Sequence, residues 1–311
     1  MTTALITHPD CLGHITPPGH PERVARLEAI HDRLDAAEFR NLLRLEAPLC
    51  GPEHLLGLHP QSHIDHISAK LPNHGLSSLD ADTHLSPGSL NAALRAAGAN
   101  VMAVEKVLGG EVRNAFCAVR PPGHHAERNR AMGFCLFGNA AIGAMHALEV
   151  CGLERVAIID FDVHHGNGTS DLLWNEQRAL FASTHQMPLY PGTGHSAEIG
   201  AHGQIVNVPL DPGAGGLEFR RAMLNVILPR VEAHRPDCIF ISAGFDAHSR
   251  DPLANLMFET EDFAWATEAL CDVADEHCSG RVVSTLEGGY DLEGLSDSVA
   301  AHLEVLMRRS S

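Results

Sequence analysis

The sequence has 311 residues, 44% hydrophobic and 20% charged, a size and balance that suit an α/β chain with a large core and exclude a disordered one. Its formal charge of −17 argues against a nucleic-acid partner and would draw cationic substrates such as lysine-rich segments or polyamines. No apolar run reaches the length of a membrane-spanning helix, so no membrane partner is expected, and residues 1–10 lack the basic start and apolar core of a signal peptide.

No linker, low-complexity tract or 20–50-residue repeat divides the chain, so residues 1–311 are expected to form a single domain. None of the eight cysteines lies in a CxxC pair, and Cys117 and Cys238 sit inside apolar runs. Reduced, buried thiols and a cytoplasmic setting are expected. The 22 histidines equal Lys and Arg together, and their positions carry most of the functional signal.

In chain order, Ala4–Thr7 predicts a buried strand. Ser86 and Pro87 predict an N-cap and first-turn proline for a helix whose apolar face is Leu90, Leu94, Ala97, Val101 and Val104. Ala115–Val119 predicts a strand, and Asn139–Val150 has helical spacing. Val156–Phe161, Leu180–Ser183 and Ile205–Val208 then read as strands, and Leu217–Ala233 as a helix. Cys238–Ser242 predicts a strand, Glu261–Glu276 a helix, Val282–Leu286 a strand and Leu292–Met307 a last helix. Such alternation implies a parallel sheet covered by helices on both faces.

Ligands of open parallel sheets bind at the carboxyl ends of the strands. Four predicted strands run into unusual polar segments there: Arg120–His125, Asp160–Gly168, Ala243–Asp246 and Glu287–Tyr290. Asp162 and His164, two apart at the end of a strand, point the same way, and Asp246 from a second strand supplies a third ligand. Three protein ligands with an open position mark a catalytic metal. Zinc suits the set, and its two oxygen donors also suit iron(II) or manganese. His124 and His125, held by a Pro-Pro-Gly turn, can move protons near neutral pH. Tyr290, after two glycines, can donate to a carbonyl oxygen that gains charge.

Together these segments resemble the histone deacetylase family, specifically its class II branch. The likeness rests on Arg120–His125, Gly133-Phe134-Cys135, Asp160–Gly168, Ala243–Asp246 with Asp251-Pro252-Leu253, and Leu286–Tyr290. It implies an arginase/deacetylase α/β fold with a central eight-stranded parallel sheet, and a metal-dependent amidohydrolase that removes acyl groups from acyl-lysine or related N-acyl amines. By that resemblance Asp162, His164 and Asp246 hold zinc, and His124 and His125 are the general acid/base pair. Tyr290 polarises the carbonyl, Asp160 fixes His124, and Asn167 stands where class I members carry an aspartate, leaving His125 as the neutral base. Gly133, Phe134 and Tyr190 would wall a tunnel for the substrate stem, Asp82 would hold the substrate backbone at its rim, and His20–Arg23 would form the entrance loop. The resemblance also implies potassium bound by Asp160, Asp162, His164, Ser183 and Thr184.

Leu253 stands where a polyamine-selective member would carry a glutamate, which favours acyl-lysine over acetylpolyamines. An acetylpolyamine amidohydrolase, a small-amide amidase and a catalytically inactive acyl-lysine binding module are the alternatives. Asp246-Ala247-His248 forms a second DxH, but the rest of a two-metal ligand set is missing. A homo-oligomer is left open by the sequence.

Overall fold

A computed structural model of the chain describes residues 1–310. The strands are β1 (Thr3–Thr7), β2 (Leu43–Glu46), β3 (Ser77–Ser78), β4 (His84–Leu85), β5 (Asn114–Cys117), β6 (Val156–Asp160), β7 (Ala179–Gln186), β8 (Ile205–Leu210), β9 (Cys238–Ala243) and β10 (Val282–Leu286). All but β3 and β4, which pair as a small antiparallel ribbon, join one eight-stranded sheet of order β2-β1-β5-β10-β9-β6-β7-β8. Every pairing in that sheet is parallel. The fold is therefore the α/β architecture with an eight-stranded parallel sheet that the sequence implied.

The helices are α1 (Ala25–Leu34), α2 (Pro52–Leu56), α3 (Gln61–Lys70), α4 (Ser89–Leu108), α5 (Asn139–Glu149), α6 (Asn167–Leu172), α7 (Gly216–Ala222), α8 (Leu228–His234), α9 (Thr260–His277) and α10 (Leu292–Ser310). Helices α4 and α5 pack on each other and on the central strands, while α1, α9 and α10 form a second packed group. Strands β5, β6, β9 and β10 are accordingly buried at every residue, as expected of parallel strands covered on both faces. No helix among the described residues is long and apolar enough to cross a membrane.

Three local readings needed correction. Strand β2 was not anticipated: Leu43-Arg44-Leu45-Glu46 is an edge strand with mostly exposed side chains, so it lacks an apolar run. The helix expected over 217–233 is interrupted by a π-helical segment at Met223–Ile227, just before Pro229 in the first turn of α8. Proline offers no N–H to the ladder, and a wider turn absorbs the mismatch. Ser86 does not cap α4. That helix starts at Ser89 with Gly88 before it, and the Ser86 hydroxyl instead donates to the Gly13 carbonyl at 2.9 Å.

The four strands expected to carry chemistry, β5, β10, β9 and β6, are four consecutive neighbours at the centre of the sheet. Their carboxyl ends open onto one depression. Topology alone thus brings together residues up to 166 positions apart, from His124 to Tyr290.

Candidate active site

Past the end of β6 the chain bends through Asp162 and His164, and past β9 it reaches Asp246. All three are buried, and ligand atoms from each lie within 4.8 Å of one another. His164 Nδ1 is 3.1 Å from Asp162 Oδ1 and 3.0 Å from Asp246 Oδ2. Backbone amides fix the carboxylates. Asp162 accepts from His164 N at 2.9 Å and Gly288 N at 2.8 Å, and Asp246 accepts from Val163 N at 2.8 Å.

The electrostatics of this trio fit a cation. Burial disfavours charge on His164, yet its bonds to Asp162 and Asp246 push its pKa up to about 10. Burial and the neighbouring Asp162 together raise the Asp246 carboxyl. Two buried acids converge on one imidazole, and a divalent ion would relieve the excess negative charge that a single proton only partly offsets. His248 is not part of the group. Its Nδ1 accepts from Arg250 N at 3.2 Å, and its ring stacks on Phe263.

The tandem histidines leave β5 with ring centroids 4.0 Å apart. His124 Nδ1 donates to Asp160 Oδ2 at 3.0 Å, and His125 Nδ1 donates to Asn167 Oδ1 at 2.7 Å. Burial opposes charge on both. For His124 the nearby Asp162 and Asp160 win and hold its pKa well above the ordinary value. For His125, burial is reinforced by His124 and His164, so its pKa lies well below the ordinary value. One imidazole therefore favours the cation and the other the neutral form. Burial, partly opposed by the charge of His124, pushes Asp160 up to about 6.

A cavity of about 240 Å³ leads to these groups. Its lining includes Asp82, Gly133, Phe134 and Tyr190, to which the resemblance gave the tunnel and its rim, and Leu253 at the position of the missing glutamate, together with His125, His164, Tyr290 and Leu189. Gly133 has φ +54°, and a Cβ there would lie 2.5 Å from the His125 ring, so only glycine fits. Phe134 also has positive φ, 68°, an unfavourable conformation for a bulky side chain. Its N–H donates to Thr83 Oγ1 at 3.2 Å, and its ring packs edge-on against His20 at 4.7 Å. His20 of the expected entrance loop thus packs against a cavity wall residue without itself lining the cavity.

Ser183 and Thr184 are buried on β7, with Ser183 in register beside Asp160 of β6. The Ser183 hydroxyl is bonded to His185 Nδ1 at 2.9 Å, whereas Thr184 Oγ1 has no hydrogen-bond partner.

Several supporting groups were not anticipated. Glu287 is fully buried; it accepts from Gly123 N at 2.7 Å and His124 N at 3.1 Å, and from Ser242 Oγ at 3.1 Å. Burial, partly opposed by His124, pushes it up to about 7. Asp251 accepts from Tyr290 N at 2.7 Å and Leu253 N at 3.0 Å, fixing two cavity residues at once. Beneath Tyr290 lies buried Arg26, 4.9 Å from the ring centroid, donating to the carbonyls of Gly289 at 2.6 Å and Glu287 at 2.5 Å. Glu22 pairs with both Arg26 and Arg120, all three fully buried. Glu287 and Asp251 lie inside the quoted stretches Leu286–Tyr290 and Asp251–Leu253 but were given no role. Glu22 lies in the expected entrance loop but was given no buried partner there, and Arg26 gave no signal, since buried charge is rare.

The histone deacetylase domain model matches residues 20–306. A probable deacetylase of Archaeoglobus fulgidus is 39% identical over 300 residues, covering 94% of this chain and 83% of the relative. A histone deacetylase-like amidohydrolase of Pseudomonas aeruginosa is 38% identical over 286 residues, covering 89% and 75%. Among solved structures, the crystal structure of the HDA15 HD domain superposes with a TM-score of 0.94 at 36% identity, covering 99% of this chain and 88% of that one.

Proposed function

The chain belongs to the histone deacetylase domain family, and from that premise we propose that it hydrolyses the amide of acyl-lysine residues, releasing the free amine and a carboxylate. The carrying observation is that His125, His164 and Tyr290 all face one narrow cavity whose walls are largely apolar, as a long methylene stem requires. Leu253 on that wall offers no carboxylate to a distal ammonium, which favours acyl-lysine over acetylpolyamines.

In this reading Asp162, His164 and Asp246 hold zinc, with iron(II) as the alternative. When bound, the cation supplies Lewis acidity at the acyl oxygen and acidifies the attacking water. His125 takes the water proton through Nε2 as the C–O bond forms. Tyr290 donates to the oxyanion, and the cationic His124 adds favourable charge beside it. The C–N bond then breaks as a histidine proton passes to the leaving amine. Phe134 and Tyr190 exclude water from the stem, and Asp82 accepts from the substrate backbone at the rim. Potassium would sit behind the triad on oxygens of Asp160, Asp162, His164, Ser183 and Thr184; the unpartnered Thr184 hydroxyl supports a polar ligand there. We read residues 1–311 as one catalytic domain. Its eight unpaired cysteines, seven of them buried, suit the reducing cytoplasm.

The test is metal analysis coupled to hydrolysis of an acetyl-lysine peptide, acetylspermidine, acetylputrescine and a small anilide, with and without chelator. The peptide should have the highest kcat/KM, with activity lost to chelator and restored by zinc. Turnover of none of these by metal-loaded enzyme would refute the deacetylase reading. A preference for acetylpolyamines of tenfold or more would overturn the choice of lysine.

A further inference from the structure

We propose that Glu127 is a positioning residue that locks the Asn167 amide in one orientation and thereby sets the tautomer of His125. This rests on the reading of His125 as the base. Helix α6 begins at Asn167, and its first turn is pressed against the tandem-histidine loop. A Cβ on Gly168 would lie 2.4 Å from the Ala126 carbonyl oxygen, and Thr169 N donates to the His124 carbonyl at 3.1 Å. That contact places the Asn167 amide among three partners. Its Oδ1 accepts from His125 Nδ1 at 2.7 Å, and its Nδ2 donates to Glu127 Oε1 at 2.7 Å and, as a weaker contact, to Met132 Sδ at 3.4 Å.

An asparagine beside a histidine is ambiguous by itself. Turned one way, its oxygen requires a proton on Nδ1 and leaves the Nε2 lone pair free. Turned the other way, its NH₂ donates to Nδ1 and moves the ring proton to Nε2, which removes the base. An ionised carboxylate only accepts. With the amide reversed, Glu127 would face the amide oxygen at hydrogen-bond distance, lone pair against lone pair. Glu127 therefore permits one orientation only.

The surroundings leave the carboxylate free for this task. The turn that carries it closes through Glu127 N to the Arg130 carbonyl at 2.9 Å. Arg128 and Arg130 are exposed, and no ion pair to Glu127 is formed among the described residues. Glu127 does not line the substrate cavity. The negative charge is thus held one amide away from His125, where it polarises the Asn167 carbonyl and strengthens its bond to Nδ1.

The test combines kinetics with a readout independent of turnover. Glu127→Ala should lower kcat 10–100-fold, the usual loss when a supporting partner is removed, with KM within about twofold. Adding Asn167→Asp should restore kcat to within a few-fold of wild type, because an aspartate can only accept and needs no lock. A role confined to folding the turn would not be rescued from position 167. In ¹⁵N-histidine-labelled protein, the His125 nitrogens, identified by their loss in His125→Asn, should report Nδ1–H in the wild type and a mixture or Nε2–H in Glu127→Ala. Wild-type kcat in Glu127→Ala, a double variant no faster than Glu127→Ala, or an unchanged tautomer would overturn the proposal. Failure of the wild type to hydrolyse any acyl amine would instead count against the deacetylase reading, with the tautomer comparison still deciding the lock.

Discussion

Replacing Gly288 by alanine should empty the metal site while leaving the fold intact. The Gly288 N–H donates to Asp162 Oδ2 at 2.8 Å, and a Cβ at this position would lie 2.1 Å from Asp246 Oδ2 and 2.6 Å from Asp162 Oδ2. Carbon and oxygen tolerate contacts down to about 3.3 Å, so the Asp246 oxygen must retreat by about 1 Å. It cannot do so freely. The other Asp246 oxygen is held by Val163 N at 2.8 Å, and Asp162 is held by His164 N at 2.9 Å. Gly288 is outside the positive-φ region, so alanine introduces no backbone strain, and the effect is a steric displacement of two ligands. Metal sites tolerate deviations of only about 0.2 Å. The loss should therefore at least reach the 10–100-fold cost of removing an outer partner, or about 1.4–2.7 kcal/mol. Dialysis against graded chelator followed by metal analysis measures it. Gly57→Ala, whose Cβ would meet nothing nearer than 3.7 Å, is the control. Wild-type metal retention by Gly288→Ala would refute both the ligand assignment and the steric argument.

Two further outcomes follow from the same geometry. Tyr290→Phe should lower kcat by about 10²–10³ with metal content unchanged, by analogy with other oxyanion donors; undiminished turnover would exclude the phenol from the chemistry. His302 should make stability fall with acid. Burial lowers its pKa to about 3, and it is held between Thr267 Oγ1 at 2.6 Å and Ser284 Oγ at 2.9 Å. Below the unfolded pKa of about 6.5 the unfolded chain takes up a proton that the folded one resists, so this contribution is present above pH 6.5 and is lost as pH falls toward 3. Between pH 7 and pH 5 that amounts to about 2 kcal/mol. Urea unfolding should show His302→Gln to be less pH-sensitive by this amount, and identical pH slopes would refute it.

The chemistry was legible because it lies where parallel strands end, and a run such as Val156–Asp160 announces both the strand and the point where its polar residues gather. What stayed hidden shares a different property. Leu43–Glu46 pairs at an exposed edge, and Arg26, with no motif around it, joins Glu22 and Arg120 of two recognised segments in a buried cluster whose pairing their sequence positions do not show. In each case the partner, not the residue, decides the role. Asn167 makes the point most sharply. Judged alone, an amide in place of a carboxylate takes a negative charge away from His125. The 2.7 Å contact from Asn167 Nδ2 to Glu127 puts a carboxylate back, one residue removed. Position 167 therefore cannot be interpreted without position 127, and the proton placement on His125 belongs to the pair.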